Sequence, residues 1–430
     1  MKKFLIYTLA LVGLGSFATS CQGEEDDIFG QSSAERLEQA IVDNTELLCS
    51  ANNGWVMEYF NSTAWEPGYN YIFKFNSDNS VVIAANNEWI GNEYKEELSS
   101  FEVITDNGPV LTLNTYNTLF HLFAAPDDIL ESEEDESGYG HSGDYEFVFM
   151  NVSDDKNTIT LKGKKWGRTI IMRRLADDVV WSDYLTQLEE QRINMFSSKI
   201  PELVLEADGK RFIVTDAASG VLSCYPDGGD PVTETDLISF IAVPNGLRFS
   251  EPYRGRDDGF AIENFFFAED GSLYCTDEGQ NATLSIGSVY RVVAESDTKW
   301  RFDLKGFAGV YAAAYDKMVA DINAYRKGQK IAYMQLSQRT DAEGMKLTIK
   351  TARYELNMYL GVENVDGKLQ FTNLEEADNN GTIFYRDVEG LREFMQLLCS
   401  APIALTADNY LSASSMTYAE GEDGFVLNVY

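Results

Sequence analysis

Side chains suited to acid–base or metal chemistry are few in this chain, which has only two histidines, His121 and His141. That number is too small for a three-histidine zinc site, and the sequence lacks an HExxH segment, a P-loop, a nucleophile elbow and a CxxC pair. Glycoside hydrolysis needs two carboxylates at a fixed separation, and 69 acidic residues do not single out a pair. We predict no catalytic residue, no metal and no cofactor; a hydrolase with a carboxylate pair is the alternative.

Both histidines flank one long insertion, residues 122–143, in a region whose other connections are short turns. Long loops in compact domains are usually either functional or disordered, so we expect any ligand to bind at this end of the N-terminal β unit. The acidic run ESEEDESG in the insertion lacks the spacing of an EF-hand, which favours a solvated loop over a calcium site.

Sugar-binding sites combine flat aromatic faces with a few directional polar groups. Four residues near the insertion and the first hairpin loop have these properties and are the predicted ligand-binding set: Trp65, Tyr69, His121 and Asp144. Tyr253 and Arg254 form a second, weaker candidate of the same kind. Each aromatic residue in these loops can instead be a packing residue.

The N-terminus has the order of a secretory signal: two lysines, an apolar run and small residues over positions 1–20. The small residues before Cys21 resemble the lipobox of bacterial lipoproteins, so we expect Cys21 to become the lipid-bearing first residue of the mature chain. Ordinary secretion with a free or paired Cys21 is the alternative. The acidic stretch that follows, within residues 21–31, is either a surface-export signal or a solvated tether.

The chain is strongly acidic, with a formal net charge of −35 over 430 residues. Such a charge disfavours nucleic acid and anionic bilayers as partners. The hydrophobic content of 44% nevertheless indicates packed units rather than disorder.

The remaining sequence predicts a mainly β protein with packing helices, a β-rich α+β fold. A helix capped by Ser32 and Glu35 begins an N-terminal unit, residues 32–176, whose eight strand-like segments indicate an antiparallel meander. Alternating dry and wet positions in these segments favour a lipocalin-like barrel or a flattened sheet.

A bridging helix is expected within residues 177–199, followed by a second β-rich unit with two helices over residues 200–430. The segments ELLCSA and QLLCSA, at 46–51 and 396–401, suggest either a duplication or a disulfide between Cys49 and Cys399; coincidence is the alternative. Buried free cysteines are the default expectation for Cys49, Cys224, Cys275 and Cys399.

The order of the segments GWVMEYF, YNYIFKFNSDNSVV, FHLFAAPDD, GDYEFVFMNVSDDKNTITLKGKK and IPELVLEADGK resembles the DUF4302 lipoproteins of Bacteroidetes, from about Asp26 to the C-terminus. The family has no assigned activity. The resemblance implies an uncharacterised accessory lipoprotein that binds glycan or peptide within a nutrient-uptake system built on an outer-membrane transporter complex.

We therefore expect a lipoprotein held in the outer membrane by its N-terminal lipid and displayed at the cell surface; a periplasmic location is the alternative. An interaction scaffold without a small ligand is the third function class.

Overall fold

The computed structural model describes residues 32–106, 108–125, 141–196, 200, 202–217, 220–256 and 259–430. The predicted signal peptide, Cys21, the acidic tether and most of the insertion lie outside these ranges. The described part of the chain folds into three antiparallel β units with packing helices, which confirms the predicted fold class.

The first element is helix α1 (Ser33–Cys49), whose start was predicted from a capping box. The Ser32 hydroxyl accepts a hydrogen bond from the Glu35 amide, and the Glu35 carboxylate accepts one from the Ser32 amide. At the other end Leu48 is fully buried, and its carbonyl accepts a 2.9 Å bond from the Trp55 indole. This bond attaches α1 to the first strand.

The N-terminal sheet contains nine of the described strands in the order β4-β3-β2-β1-β9-β8-β7-β6-β5. They are β1 (Trp55–Tyr59), β2 (Tyr69–Phe75), β3 (Ser80–Ala85), β4 (Lys95–Ser100), β5 (Glu102–Thr105), β6 (Pro109–Thr112), β7 (Glu146–Val152), β8 (Thr158–Gly163) and β9 (Thr169–Arg174). The edge strands β4 and β5 are separated only by Phe101, so the two edges meet there and the sheet curves as a barrel does. The sequence predicted eight strands, with the segment EELSSFEVIT at residues 96–105 as a single strand where β4 and β5 stand.

The alternation in the sequence determines which side of this sheet is dry. In β8, Ile159, Leu161 and Gly163 are buried, whereas Lys162, between Leu161 and Gly163, is exposed. Buried side chains from eight of these strands, all except β4, form one apolar cluster with the end of α1. Helix α2 (Trp181–Asn194) follows, within the range predicted for the bridging helix.

The central unit is a closed eight-stranded barrel in which each strand pairs with the next and β17 pairs with β10. Its strands are β10 (Leu203–Ala207), β11 (Lys210–Thr215), β12 (Val221–Pro226), β13 (Asp236–Val243), β14 (Gly246–Tyr253), β15 (Ile262–Phe267), β16 (Leu273–Cys275) and β17 (Ala282–Ser285). Large side chains such as Phe240, Phe249 and Phe265 are fully buried in its interior.

The C-terminal sheet has eight described strands in the order β22-β21-β20-β19-β18-β25-β24-β23. They are β18 (Trp300–Phe302), β19 (Ile331–Gln338), β20 (Met345–Thr351), β21 (Glu355–Val365), β22 (Lys368–Ala377), β23 (Leu405–Ala407), β24 (Ser415–Glu420) and β25 (Asp423–Val429). Two backbone hydrogen bonds between Leu369 and Ile403, of 3.0 and 2.7 Å, link the edge strand β22 to the segment just before the other edge strand, β23.

Three helices accompany this sheet: α3 (Gly309–Tyr325), α4 (Asn379–Asp387) and α5 (Glu389–Leu398). The sequence indicated α3 and α5 but not α4. The range predicted as one C-terminal unit thus contains two β units, the central barrel and the C-terminal sheet. All four described cysteines are free, so Cys49 and Cys399 are not joined in this structure.

Candidate functional site

Three segments meet at one end of the N-terminal sheet: the loop 60–68, the 3-10 turn His121–Phe123 and residues 141–145. The Ser62 amide donates to the Ser142 carbonyl at 3.1 Å, and the Gly143 amide donates to the Phe123 carbonyl at 2.9 Å. A Cβ at Gly143 would lie 2.7 Å from the Tyr59 hydroxyl, so only glycine allows this approach. Each of the four predicted ligand-binding residues lies on these segments or directly beside them.

Trp65 is the exposed member of the predicted set, with 63% of its surface accessible. Its loop is nevertheless fixed from beneath, because Asn61, Thr63 and Glu66 are all at least 93% buried. The Asn61 amide donates to the Glu66 carboxylate at 2.6 Å, and its carbonyl oxygen accepts the Thr63 amide at 3.1 Å. An aromatic ring in water on an ordered loop can stack against a flat apolar ligand face.

Beneath Trp65 lies a buried polar pair, in which His141 Nδ1 contacts Glu66 Oε1. Tyr69, also buried, donates to Glu66 at 3.4 Å and accepts the Trp89 indole N–H at 2.7 Å. The Trp89 ring meets His141 edge-on, with 5.1 Å between centroids. Tyr69 therefore supports the loop from below, and burial raises the pKa of its hydroxyl far above the usual range.

Glu66 and Trp89 were not in the predicted set. Glu66 is one of many acids in the chain, and nothing in its local sequence marks it as the partner of His141. His141 was noticed only as a flank of the insertion. A histidine and a glutamate 75 positions apart become neighbours through the closure of the sheet.

His121 is 92% buried and both of its ring nitrogens are occupied. Nδ1 accepts the Asn117 amide N–H at 3.1 Å, which requires the Nε2–H tautomer, and Nε2 donates to the Leu113 carbonyl at 3.0 Å. Burial lowers the pKa of His121, in agreement with a neutral ring. This histidine is a structural support and presents no polar atom to a ligand.

Two exposed tyrosines flank the His121 ring, and the sequence did not single them out. Tyr116 and Tyr145 are 54% and 43% exposed, with centroids 5.5 and 5.2 Å from that of His121. The three rings form an aromatic surface, and the imidazole fixes the position of the two tyrosines.

Asp144 is 93% buried, and its carboxylate accepts the amide N–H groups of Lys165 at 2.8 Å and Trp166 at 3.1 Å. Burial raises the pKa of Asp144, and these two bonds oppose that effect. A Cβ at Gly163 would lie 2.1 Å from the carboxylate, so the turn after β8 is built around Asp144. Asp144 holds this turn in place and does not face a ligand.

The site borders the central barrel through backbone contacts and buried ion pairs. Gly68 donates to the Phe240 carbonyl at 2.9 Å. The Glu58 carboxylate, 3% exposed, binds Arg173 at 2.7 Å and contacts Arg248. Since the buried carboxylates here are bound to arginine, histidine or backbone amides, the geometry favours support of a surface over acid–base chemistry.

Within the described ranges, no group of three or more histidine, cysteine, aspartate or glutamate side chains is arranged to hold a metal ion. In the same ranges, no helix has the length and apolar character needed to cross a bilayer.

The chain matches the family model "Domain of unknown function (DUF4302)" over residues 25–269, more than half of its length, and therefore belongs to that family. The match covers the N-terminal sheet, the bridging helix and the first six strands of the central barrel. The resemblance read from the sequence extends further, to the C-terminus, whereas the matched region ends within the barrel.

No curated protein matches the chain significantly. Among solved structures, the DNA polymerase β subunit of Streptococcus pyogenes aligns with a TM-score of 0.12 and 11% identity, covering 92% of this chain and 97% of that one. Transferrin binding protein B of Neisseria meningitidis aligns with a TM-score of 0.13 and 8% identity, covering 88% and 76%. Both TM-scores are too low to indicate a shared fold.

Proposed function

We propose that the protein is a bacterial lipoprotein of the Bacteroidetes type, anchored in the outer membrane through Cys21 and displayed at the cell surface. It binds glycan or peptide as an accessory of an uptake system with a transporter complex. The signal-like residues 1–20, the small residues before Cys21 and the acidic stretch after it support the location. The high negative charge makes nucleic acid an unfavourable partner.

The exposed Trp65 ring on a fixed loop is the observation that carries the binding role. A flat indole face in water can stack on an apolar ligand face, and the loop beneath is held by the buried Glu66–His141 pair. Binding to a preformed surface loses less conformational entropy than binding to a mobile one. Tyr116 and Tyr145 offer a second aromatic surface on the neighbouring segment.

Binding proceeds without turnover in this proposal. Glu66 is engaged by Asn61 and His141, and both oxygens of Asp144 accept backbone N–H groups. A general acid or nucleophile needs a carboxylate that faces the scissile bond, and these two face the protein.

Calorimetry with panels of neutral oligosaccharides and of short peptides tests whether the protein binds them. Chromatography of each ligand afterwards shows whether it has been cleaved. Trp65→Ala should weaken binding at least about tenfold, since stacking on an aromatic ring accounts for a kcal/mol or more. Trp166→Ala is the matched control, because Trp166 is 42% exposed on a different turn. Equal affinity of Trp65→Ala and wild type rejects the site, and cleaved ligand favours the hydrolase alternative.

The location has its own test. Cys21→Ala should abolish labelling by a radioactive fatty acid, and protease added to intact cells should degrade the wild type. Replacement of Glu24, Glu25, Asp26 and Asp27 by alanine should protect the protein. Protection of both forms would place it on the periplasmic side, and labelled Cys21→Ala protein would reject the anchor.

A further inference from the structure

The outward face of the C-terminal sheet carries a row of polar side chains across four strands, β24, β25, β18 and β19. Strand register places Ser415 opposite Asn428, Asn428 opposite Arg301, and Arg301 opposite Gln335. The next two residues in the register are not part of this row: Thr348 is buried and donates to Asn357 at 2.7 Å, and Asn357 donates to Asp378 at 2.9 Å. Neighbouring strands are about 4.8 Å apart, so the row from Ser415 to Gln335 spans about 14 Å.

These residues alternate with the apolar side chains that fill the core of the sheet. Trp300 and Phe302, on either side of Arg301, are buried, as are Met334 and Leu336 on either side of Gln335. The row therefore lies on the opposite face from the core, and it contains only amide, hydroxyl and guanidinium groups. Amide and hydroxyl groups donate hydrogen bonds to sugar hydroxyls and accept them from sugar hydroxyls, and the guanidinium group donates.

Arg301 at the centre of the row is held between two aromatic rings. Its guanidinium carbon lies 4.2 Å from the Tyr333 ring centroid and 3.2 Å from that of Tyr430. Nε donates to Gln335 at 3.2 Å. None of the ion pairs found among the described residues, at N–O distances up to 4.0 Å, includes Arg301, although the protein has about twice as many acidic as basic residues. Its terminal nitrogens thus remain available for a bidentate acceptor.

The charge around Arg301 is opposite in sign to that of the whole protein. Where β18 to β21 pair, the outward residues include Arg301, Lys346 and Lys350, and two carboxylates lie beside them: Glu355 at 3.6 Å from Lys350, and Asp378, which accepts the Asn357 amide at 2.9 Å. A negatively charged ligand is therefore attracted locally to this face, and repelled by most of the remaining surface.

We propose that this face binds an acidic oligosaccharide of the uronic-acid type, with one carboxylate on the Arg301 guanidinium. The Tyr333 and Tyr430 rings fix the guanidinium, and the polar row hydrogen-bonds the hydroxyl groups of the sugar chain. The site is separate from the Trp65 loop and does not depend on the function proposed for it.

Calorimetry with an oligogalacturonate and with neutral maltoheptaose tests the proposal on the mature chain. Wild type should bind the oligogalacturonate and not maltoheptaose at this face, and the affinity should fall with added salt. Arg301→Gln should lose at least about tenfold in affinity, because hydrogen bonds to charged groups are among the stronger ones. Arg301→Lys should regain only part of it, since an ammonium group lacks the planar fork.

Two controls separate this site from others. Arg353→Gln removes an exposed arginine of the same sheet, and Trp65→Ala removes the candidate site on the N-terminal sheet; both should bind oligogalacturonate as wild type does. The proposal is overturned if Arg301→Gln, folded by circular dichroism, retains wild-type affinity, or if wild type does not bind oligogalacturonate. Equal competition by an acidic peptide would overturn the sugar class. Loss of oligogalacturonate affinity in Trp65→Ala but not in Arg301→Gln would assign the acidic sugar to the Trp65 loop.

Discussion

Arg248 and Arg301 belong to strands of two different β units, the central barrel and the C-terminal sheet, and their surroundings differ in one decisive respect. Arg248 is 2% exposed, contacts Glu58 of the N-terminal sheet and binds Glu263 at 2.9 Å. Arg301 lies between two tyrosine rings without a carboxylate partner among the described residues. Both guanidinium groups stack on aromatic rings, Arg248 on Phe60 at 5.2 Å.

The difference teaches what an arginine in an acidic protein contributes. A guanidinium buried between carboxylates joins two structural units, and its burial keeps it out of contact with a ligand. A guanidinium held by ring faces keeps its hydrogen-bond donors at the surface. The first arrangement predicts a large effect on stability, and the second predicts a large effect on binding with little effect on stability.

Replacement of Arg248 by leucine should have the largest effect on stability. It leaves Glu58 buried with only Arg173, and breaking a buried ion pair on one side costs about 3–5 kcal/mol. The free energy of unfolding from urea titration should fall by about 3 kcal/mol, near the lower limit because Arg173 remains.

The double replacement Glu58→Leu and Arg248→Leu sharpens this prediction, since it also removes the buried Glu58 carboxylate. It should be more stable than Arg248→Leu alone. A loss below about 1 kcal/mol for the single variant would mean that the ion pair is not buried in solution.

Replacement of Glu66 by alanine should have the second largest effect. It removes the acceptor of Asn61 and the partner of His141, and buried groups without partners cost about 1–3 kcal/mol each. Urea titration should show a loss in that range. Glu251→Ala is the control, because Glu251 is 75% exposed and lies 3.6 Å from Arg168; it should change stability by less than about 0.5 kcal/mol. Equal effects of the two variants would contradict the arrangement.

The His121 ring predicts a dependence of stability on pH. Burial lowers the pKa of His121 in the folded protein below its ordinary value of 6.5, so the unfolded chain binds the proton first. This contribution to stability is complete above pH 6.5 and is lost as the pH falls from there toward the folded-state pKa. Wild type should therefore lose more stability than His121→Gln between about pH 7.5 and about pH 5.5.

Comparison with His121→Gln removes the contribution of carboxylates that titrate in both proteins. Equal losses in the two proteins over this pH range would show that His121 keeps an ordinary pKa when folded. Asp144, whose pKa is raised by burial, remains in both proteins and cancels in the difference.

The smallest effect on stability is expected for Arg301→Gln. Two cation–π contacts of about 0.5–1 kcal/mol each are lost, and no buried charge is left behind. Urea titration should show a loss of about 1–2 kcal/mol, whereas Arg248→Gln should lose about 3 kcal/mol or more. Similar losses for the two variants would remove the distinction between the two arginines.

Much of the fold follows from local patterns in the sequence. The capping box at Ser32 marks the start of α1, and the alternation of Ile159, Thr160 and Leu161 marks a strand with one dry face. These features depend on residues a few positions apart, so neighbouring residues suffice to predict them. The break of one predicted strand at Phe101 and the short helix α4 lacked such a signal.

The candidate site could be predicted only in part. Its position at one end of the N-terminal sheet was anticipated from the long insertion, and Trp65 was selected as an exposed aromatic residue. Tyr69, His121 and Asp144 are buried, because packing determines whether a polar or aromatic loop residue faces water. The exposed Tyr116 and Tyr145 have no pattern around them that differs from other tyrosines in the chain.

The sequence alone therefore determined the acidic charge, the mainly β fold and the positions of most strands. Tertiary structure decided which of many acids meets His141, why Arg248 is buried, and how Arg301 comes to lie between two tyrosines. The contact between Glu58 and Arg248 joins residues 190 positions apart. Partners so distant are selected by strand register and by the closure of sheets, and neither of these is encoded in the residues adjacent to them.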